Sequence, residues 1–215
     1  MIKKIKYYIK SKIKRKYIYL KNYKYSNPKI LYKNVDKLLI VAHPDDEVVF
    51  FFNELLKEKE WLVICVTNGD NQIRLNEFIQ SMKNLKCSYQ IWGFEDGWLT
   101  VWNEKKVKKK IKKIIEERNW KKVLTHNENG EYGHFQHKQL NKIVKELYEG
   151  YDIGVPLKKE KLLKEKNMLE KNIQIKKLEH MKKYYKSQEH IIDNLQIYFK
   201  YEKIEKLGSE NVKRN

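Results

Sequence analysis

Short, unbroken apolar runs alternating with helical patterns constrain this chain more than any other feature. Lys37–Ala42 (KLLIVA) and Trp61–Val66 (WLVICV) contain no polar side chain after their first position. A strand with one wet face alternates polar and apolar residues. A run that is apolar on both faces reads as a strand buried inside a parallel sheet. Tyr89–Trp92, closed by Gly93 and Gly97, is a third candidate strand, and Val123–Thr125 a fourth. Between them Val48–Glu58, Ile73–Leu85 and Val107–Arg118 have helical spacing, and His134–Glu149 follows the loop Asn127–Gly133. The stretch 157–190 is helical by composition, and residues beyond 203 read as a frayed tail. Strand–helix alternation of this kind predicts an α/β fold, a Rossmann-like three-layer sandwich with a mostly parallel sheet. Ligands of such sheets bind outside the carboxyl ends of the strands, so the loops after Ala42, Val66, Trp92 and Thr125 should share one rim. No GxGxxG follows the first strand, which leaves a dinucleotide site without support.

The 215 residues suit one main domain over 36–203, preceded by an arm (1–35) and followed by a tail (204–215). The net charge of +19 is unevenly spread. Residues 1–35 hold twelve of the 47 basic residues, none of the 28 acidic ones and seven of the fifteen tyrosines, which leaves about +7 elsewhere. A helix is expected over 2–20, ended by Asn27-Pro28. A basic, aromatic arm can meet phosphate on nucleic acid or on an anionic membrane. The plainer alternative is a lysine-coated solvent face, since Lys also crowds 105–113 and 157–172. No nucleic-acid module accompanies the charge, so nucleic acid is not the expected partner. No apolar run reaches 18 residues, and lysines interrupt the first sixteen, against both a membrane span and a secretory signal. Two isolated cysteines, Cys65 and Cys87, make neither a disulfide framework nor a thiolate metal site, and a reducing cytoplasm is the expected compartment.

Ala42-His43-Pro44-Asp45-Asp46-Glu47 directly follows the first strand. It offers an imidazole and three carboxyls, and the i, i+3 spacing lets His43 and Asp46 turn to one point while Asp45 stands beside it. A simple helix N-cap is the plain alternative for these aspartates. Past the fourth strand, Gly133-His134-Phe135-Gln136-His137 repeats the spacing with two histidines, which could bind a metal together or divide ligation from acid–base work. Two imidazoles and one carboxylate form the ligand set of a catalytic zinc with an open position for water.

The HPDDE segment together with the later HxxH resembles the PIG-L/LmbE-like family of zinc-dependent N-acetylglucosaminide deacetylases. Thr67-Asn68-Gly69, Arg74-x-x-Glu77, Asp96-Gly97, Glu131-Tyr132-Gly133 and Tyr185-Lys186-Ser187-Gln188 fit the same pattern in the same order, over roughly 36–190. The resemblance implies zinc, or another divalent transition metal, held by His43, Asp46 and His137. It implies Asp45 as general base and His134 as oxyanion stabiliser or proton donor to the departing amine. Arg74 would contact the sugar or its aglycone, a surface salt bridge with Glu77 being the plain alternative. Asp96 would bind sugar hydroxyls, or merely make an Asp-Gly turn. Glu47 would orient a ligand imidazole, with His126 also behind the ligands. The implied substrate is an N-acetylated amino sugar or glycoconjugate, with residues 150–170 forming part of its wall. Phe135-Gln136 stands where many relatives carry Pro-Asp. The competing reading is a basic α/β binding protein that attaches to nucleic acid or anionic membrane through residues 1–35. The arm could also seat an enzyme peripherally on a membrane. Oligomeric state and the group attached to the sugar leave no readable signature.

Overall fold

The computed structural model describes residues 10–18, 20–21, 34–98, 100–148 and 153–207. Six strands form one sheet in the order β3-β2-β1-β4-β5-β6. They are β1 (Lys37–Val41), β2 (Trp61–Thr67), β3 (Ser88–Phe94), β4 (Lys122–Leu124), β5 (Ile153–Pro156) and β6 (Ile204–Leu207). The first five pair in parallel, and β6 runs antiparallel to β5. The longer helices are α1 (Asp46–Lys57), α2 (Gln72–Leu85), α3 (Glu104–Glu116), α4 (Phe135–Leu147) and α5 (Lys171–Tyr184).

Alternation along β1 builds the layers. Leu39 and Val41 enter a cluster with Phe51 of α1, Phe78 of α2 and Met181 of α5. Leu38 and Ile40 enter a second cluster with Val107 and Ile111 of α3 and Leu140 and Val144 of α4. Each face of the sheet is thus covered by helices, which explains why β1 and β2 carry apolar residues on both sides. The chain leaves β1 in both directions, to β2 on one side and β4 on the other, and a crevice opens at that switch point.

Two expectations change. The first is that β5 joins the sheet unforeseen; it is four residues long and contains Gly154 and Pro156, both poor strand formers. Residues 204–207, expected to fray, instead form β6, with Ile204 paired to Pro156 and Leu207 to Ile153. The stretch 157–190, expected to be helical by composition, is helical in pieces: short turns at Lys159–Leu162 and Glu165–Asn167, then α5 and a last turn at Lys186–Gln188. The expected arm helix is present over 10–18 and 20–21, while residues 2–9 lie outside the described residues. The C-terminal segment is fastened by a buried ion pair, Lys177 Nζ to Glu202 Oε2 at 2.7 Å.

Candidate active site

The carbonyl of Ala42, at the end of β1, accepts from Thr67 N (3.1 Å) and Thr67 Oγ1 (2.8 Å), which locks β1 to the loop after β2. That loop passes so close to β3 that a Cβ on Gly69 would lie 2.9 Å from the Trp92 carbonyl. The chain then turns at Asp45, whose φ of 107° lies in the region L-residues avoid. Asp45 occupies the N-cap position of α1, yet its side chain caps nothing. It is turned away to Arg74, Oδ2 accepting from Nη2 at 2.8 Å. The plain reading of Asp45 as a helix cap therefore fails. Asp46 folds back instead, its Oδ2 accepting from His43 N at 2.7 Å.

The histidine half is built on Glu131, a buried residue with φ of 56°. Its Oε2 accepts from His137 Nδ1 (2.7 Å) and His126 Nδ1 (3.0 Å), while Oε1 accepts from Asn127 N (2.8 Å). Burial opposes the Glu131 carboxylate, but His126 and His137 outweigh it and bring its pKa down to about 2. His126 has both nitrogens engaged, since its Nε2 accepts Ala42 N–H at 3.0 Å. Its ring stacks on that of His137 with centroids 3.7 Å apart. Sequence reasoning quoted Glu131 without assigning it a role.

These partners set the tautomers. His137 gives its Nδ1–H to Glu131, leaving a lone pair on Nε2. His43 gives its Nε2–H to Gln136 Oε1 at 2.7 Å, leaving a lone pair on Nδ1. The Gln136 amide is itself fixed, since its Nε2 donates to Glu95 O at 2.8 Å. His43 Nδ1, His137 Nε2 and Asp46 Oδ2 then face one another at 3.1, 3.3 and 3.4 Å. Three acceptors so placed repel unless a cation stands among them. Metal–ligand bonds of about 2.0–2.2 Å set tetrahedral donors roughly 3.3–3.6 Å apart, so two edges of the triangle match a zinc-sized ion and the 3.1 Å edge would open slightly around one. Against burial, Asp46 and Asp96 draw a proton onto His43 Nδ1 whenever no metal holds that lone pair, which keeps the His43 pKa well above the usual range. The expected trio of His43, Asp46 and His137 is brought together from stretches 94 residues apart.

Beside the triangle, burial lifts the Asp45 carboxyl to about 6 against the pull of Arg74. The Arg74 guanidinium reaches the crevice wall but spends its donors on protein: the Pro44 carbonyl, Asp45, Glu77 Oε2 (3.2 Å) and Ser187 Oγ (3.5 Å). The salt bridge with Glu77 is present, and so is an unforeseen grip on Asp45. Glu47 needs a correction. Its carboxyl orients no imidazole ligand: Oε2 accepts from Asp45 N at 3.1 Å, and Oε1 accepts from Ser81 Oγ at 3.0 Å and from the Tyr185 hydroxyl. Glu131 does what was expected of Glu47. Burial, with Asp45 adding to it, lifts Glu47 to about 7 despite Tyr185 and Ser81.

His134 opens α4, its Nδ1 accepting Gln136 N–H at 3.2 Å. Its proton therefore sits on Nε2. Burial, then His43 and His137, push the ring down to about 3, so it is a neutral donor. Asp96 Oδ2 accepts from Asn68 Nδ2 at 2.8 Å and lies in the crevice, beyond a mere turn role. The crevice, about 440 Å³, is also bounded by Trp98 and Tyr132, whose rings stack at 5.9 Å. Its far wall is Gln188, Ile191, Asn194 and Leu195, and none of the described residues 153–170 lines it, which corrects the expected wall.

Residues 38–148 match the family model described as PIG-L: GlcNAc-PI de-N-acetylase. An uncharacterised protein of Acanthamoeba polyphaga mimivirus is 40% identical over 174 residues, 73% of each chain. The N-acetylglucosaminyl-phosphatidylinositol de-N-acetylase of Saccharomyces cerevisiae is 25% identical over 60% of this chain, which spans only 53% of that protein. Among solved structures, the N,N'-diacetylchitobiose deacetylase of Pyrococcus horikoshii aligns with a TM-score of 0.59 at 16% identity, covering 80% of this chain and 78% of that one. The 4-carboxy-2-hydroxymuconate hydratase of Pseudomonas putida aligns almost as well, with a TM-score of 0.58 at 16% identity over 76% of this chain and 83% of that one. At such identities the likeness is one of fold, and one fold carries more than one chemistry.

Proposed function

The chain belongs to the PIG-L family, and from that premise we propose a metal-dependent hydrolase, served by zinc, that removes the acetyl group from an N-acetylglucosamine-type sugar or glycoconjugate. The substrate class rests on what two relatives' names share: a phosphatidylinositol-linked and a chitobiose-type substrate have N-acetylglucosamine in common. The observation that carries the reading is the triangle of His43, Asp46 and His137 with a basic carboxyl, Asp45, at its side.

A divalent metal on that triangle would polarise the acetyl carbonyl and make a neighbouring water acidic near neutral pH. Asp45 accepts the water proton; at about 6 it is ionised at neutral pH yet far more basic than a free aspartate. His134 Nε2–H donates to the carbonyl oxygen as it gains charge, and a neutral ring suffices for this. Held near 3, His134 is too rarely protonated to act as the acid. Asp45 therefore returns its proton to the nitrogen as the C–N bond breaks, which releases acetate and a free amine. Trp98 and Tyr132 offer a flat apolar face to the sugar ring, and Asp96 an acceptor to its hydroxyls.

Metal analysis and an acetate-release assay on N-acetylglucosamine conjugates test this together. Asp45→Ala keeps the metal and loses turnover; His43→Ala loses both. Full metal content and full activity in His43→Ala would remove the proposal.

A further inference from the structure

The N-terminal helix packs the wrong way round for a soluble protein. At about 100° per residue, Ser11, Arg15 and Ile18 share an arc of roughly 60°. These are the half-buried positions among helical residues 10–18 and 20–21. Arg15 Nε reaches Asp70 Oδ2 at 2.5 Å, at the end of the loop after β2. Ser11, Arg15 and Ile18 also line a cleft with Asn68, Asp70 and Asp96, so the helix lies on the rim of the catalytic crevice. The opposite arc holds Ile13, Tyr17 and Leu20, which are 64%, 65% and 61% exposed. The helix thus meets the rim through Ser11, Arg15 and Ile18, anchored by the Arg15–Asp70 ion pair, and turns Ile13, Tyr17 and Leu20 to water.

The lysines flank that apolar face. Lys12 and Lys16 fall on one side of it and Lys10, Lys14 and Lys21 on the other, with no acidic residue in the helix. A protein partner would favour mixed polarity around an apolar stripe. Two rows of lysine on either side of Ile13, Tyr17 and Leu20 fit a sheet of negative charge with an apolar layer beneath it, the aliphatic stems lying along the boundary. No helix among the described residues is long and apolar enough to cross a membrane, so contact of this face with a bilayer would be contact with its surface.

We propose that the Ile13–Tyr17–Leu20 face of this helix docks the protein on an anionic lipid bilayer. The bilayer sits on the far side of the helix from the sheet rim. The crevice mouth therefore stands about one helix diameter, roughly 10 Å, from the headgroups. This surface is separate from the metal triangle and holds whether or not the catalytic reading does.

The test is flotation of the full chain with vesicles of phosphatidylcholine alone or mixed with phosphatidylserine. Binding is expected to the mixed vesicles and to fall steeply with salt. The triple change Ile13→Ser, Tyr17→Ser and Leu20→Ser should lower it at least about tenfold. Lys14→Gln, on the flank, should lower it by about fivefold. Because these side chains face water, far-UV circular dichroism and metal content should match the parent, which separates lost docking from lost folding. Two results would overturn the proposal: no binding to mixed vesicles, or equal binding by the triple variant. Tight binding to a DNA duplex that ignores the triple change, without vesicle binding, would reassign the helix to nucleic acid.

Discussion

Two glutamates lie buried under the same crevice, and their surroundings drive them in opposite directions. Glu131 is brought down to about 2 and Glu47 lifted to about 7. Burial pushes both upward. Two imidazole N–H groups and a backbone N–H reverse the balance at Glu131, whereas two hydroxyls and one backbone N–H, beside the negative Asp45, do not at Glu47. Glu131 is thus a permanent charge that fixes rings in the tautomer a metal needs. Glu47 is a support that shares its proton with hydroxyls and steadies a strained turn. One half of the site is held by charge, the other by hydrogen bonds that survive neutralisation.

The contrast can be broken most forcefully at Glu131. Glu131→Gln keeps the size but cannot accept two imidazole N–H groups as a full charge. Metal affinity should fall by about 10- to 100-fold, read by competition with a chelator, while thermal stability at saturating metal changes little. An unchanged affinity would mean the rings orient themselves.

The next effect is smaller and concerns Asp45. Its activity requires the ionised form, so kcat/KM should fall tenfold per pH unit below about 6. Arg74 pulls that value down, so Arg74→Ala should move the acid limb to higher pH by about one to three units. A limb that stays in place would show that Arg74 only serves the fold.

The smallest effect is expected at Glu47. Its pKa is higher folded, at about 7, than unfolded, near the ordinary 4.5. The native state therefore binds the extra proton, and this contribution to stability is complete below 4.5 and lost as pH rises through 7. It amounts to no more than roughly 3–4 kcal/mol. Glu47→Gln should flatten the pH dependence of denaturant midpoints across that window and lower turnover less than Glu131→Gln does. A slope that persists would place the titration elsewhere.

The proposed ligand trio and general base were legible because they sit in two short motifs at strand ends, where parallel sheets gather ligands. The parallel core was legible for the same reason: KLLIVA and WLVICV admit few other placements. What escaped depends on contacts remote in sequence or on backbone shape. Glu131 gains its role from a left-handed turn that aims one carboxylate at two rings, and its only written sign is a carboxyl six residues before His137. Gln136 reads as a departure, yet its amide oxygen accepts the His43 Nε2–H. β5 and β6 are four residues each and stabilise one another across fifty residues of chain, beyond the reach of local pattern. The wall at 188–195 carries no chemistry of its own and is placed by α5.

The hydroxyl of Tyr185 reaches Glu47 across 138 residues of chain. During synthesis, His43, Asp46, Glu131 and His137 all leave the ribosome before it does. A chain cut short ahead of Tyr185 would still own every metal donor, but the turn bearing Asp45 would lack the hydroxyl that seats its support. Under the proposed mechanism, the metal donors are thus complete in the growing chain before the support of the general base is.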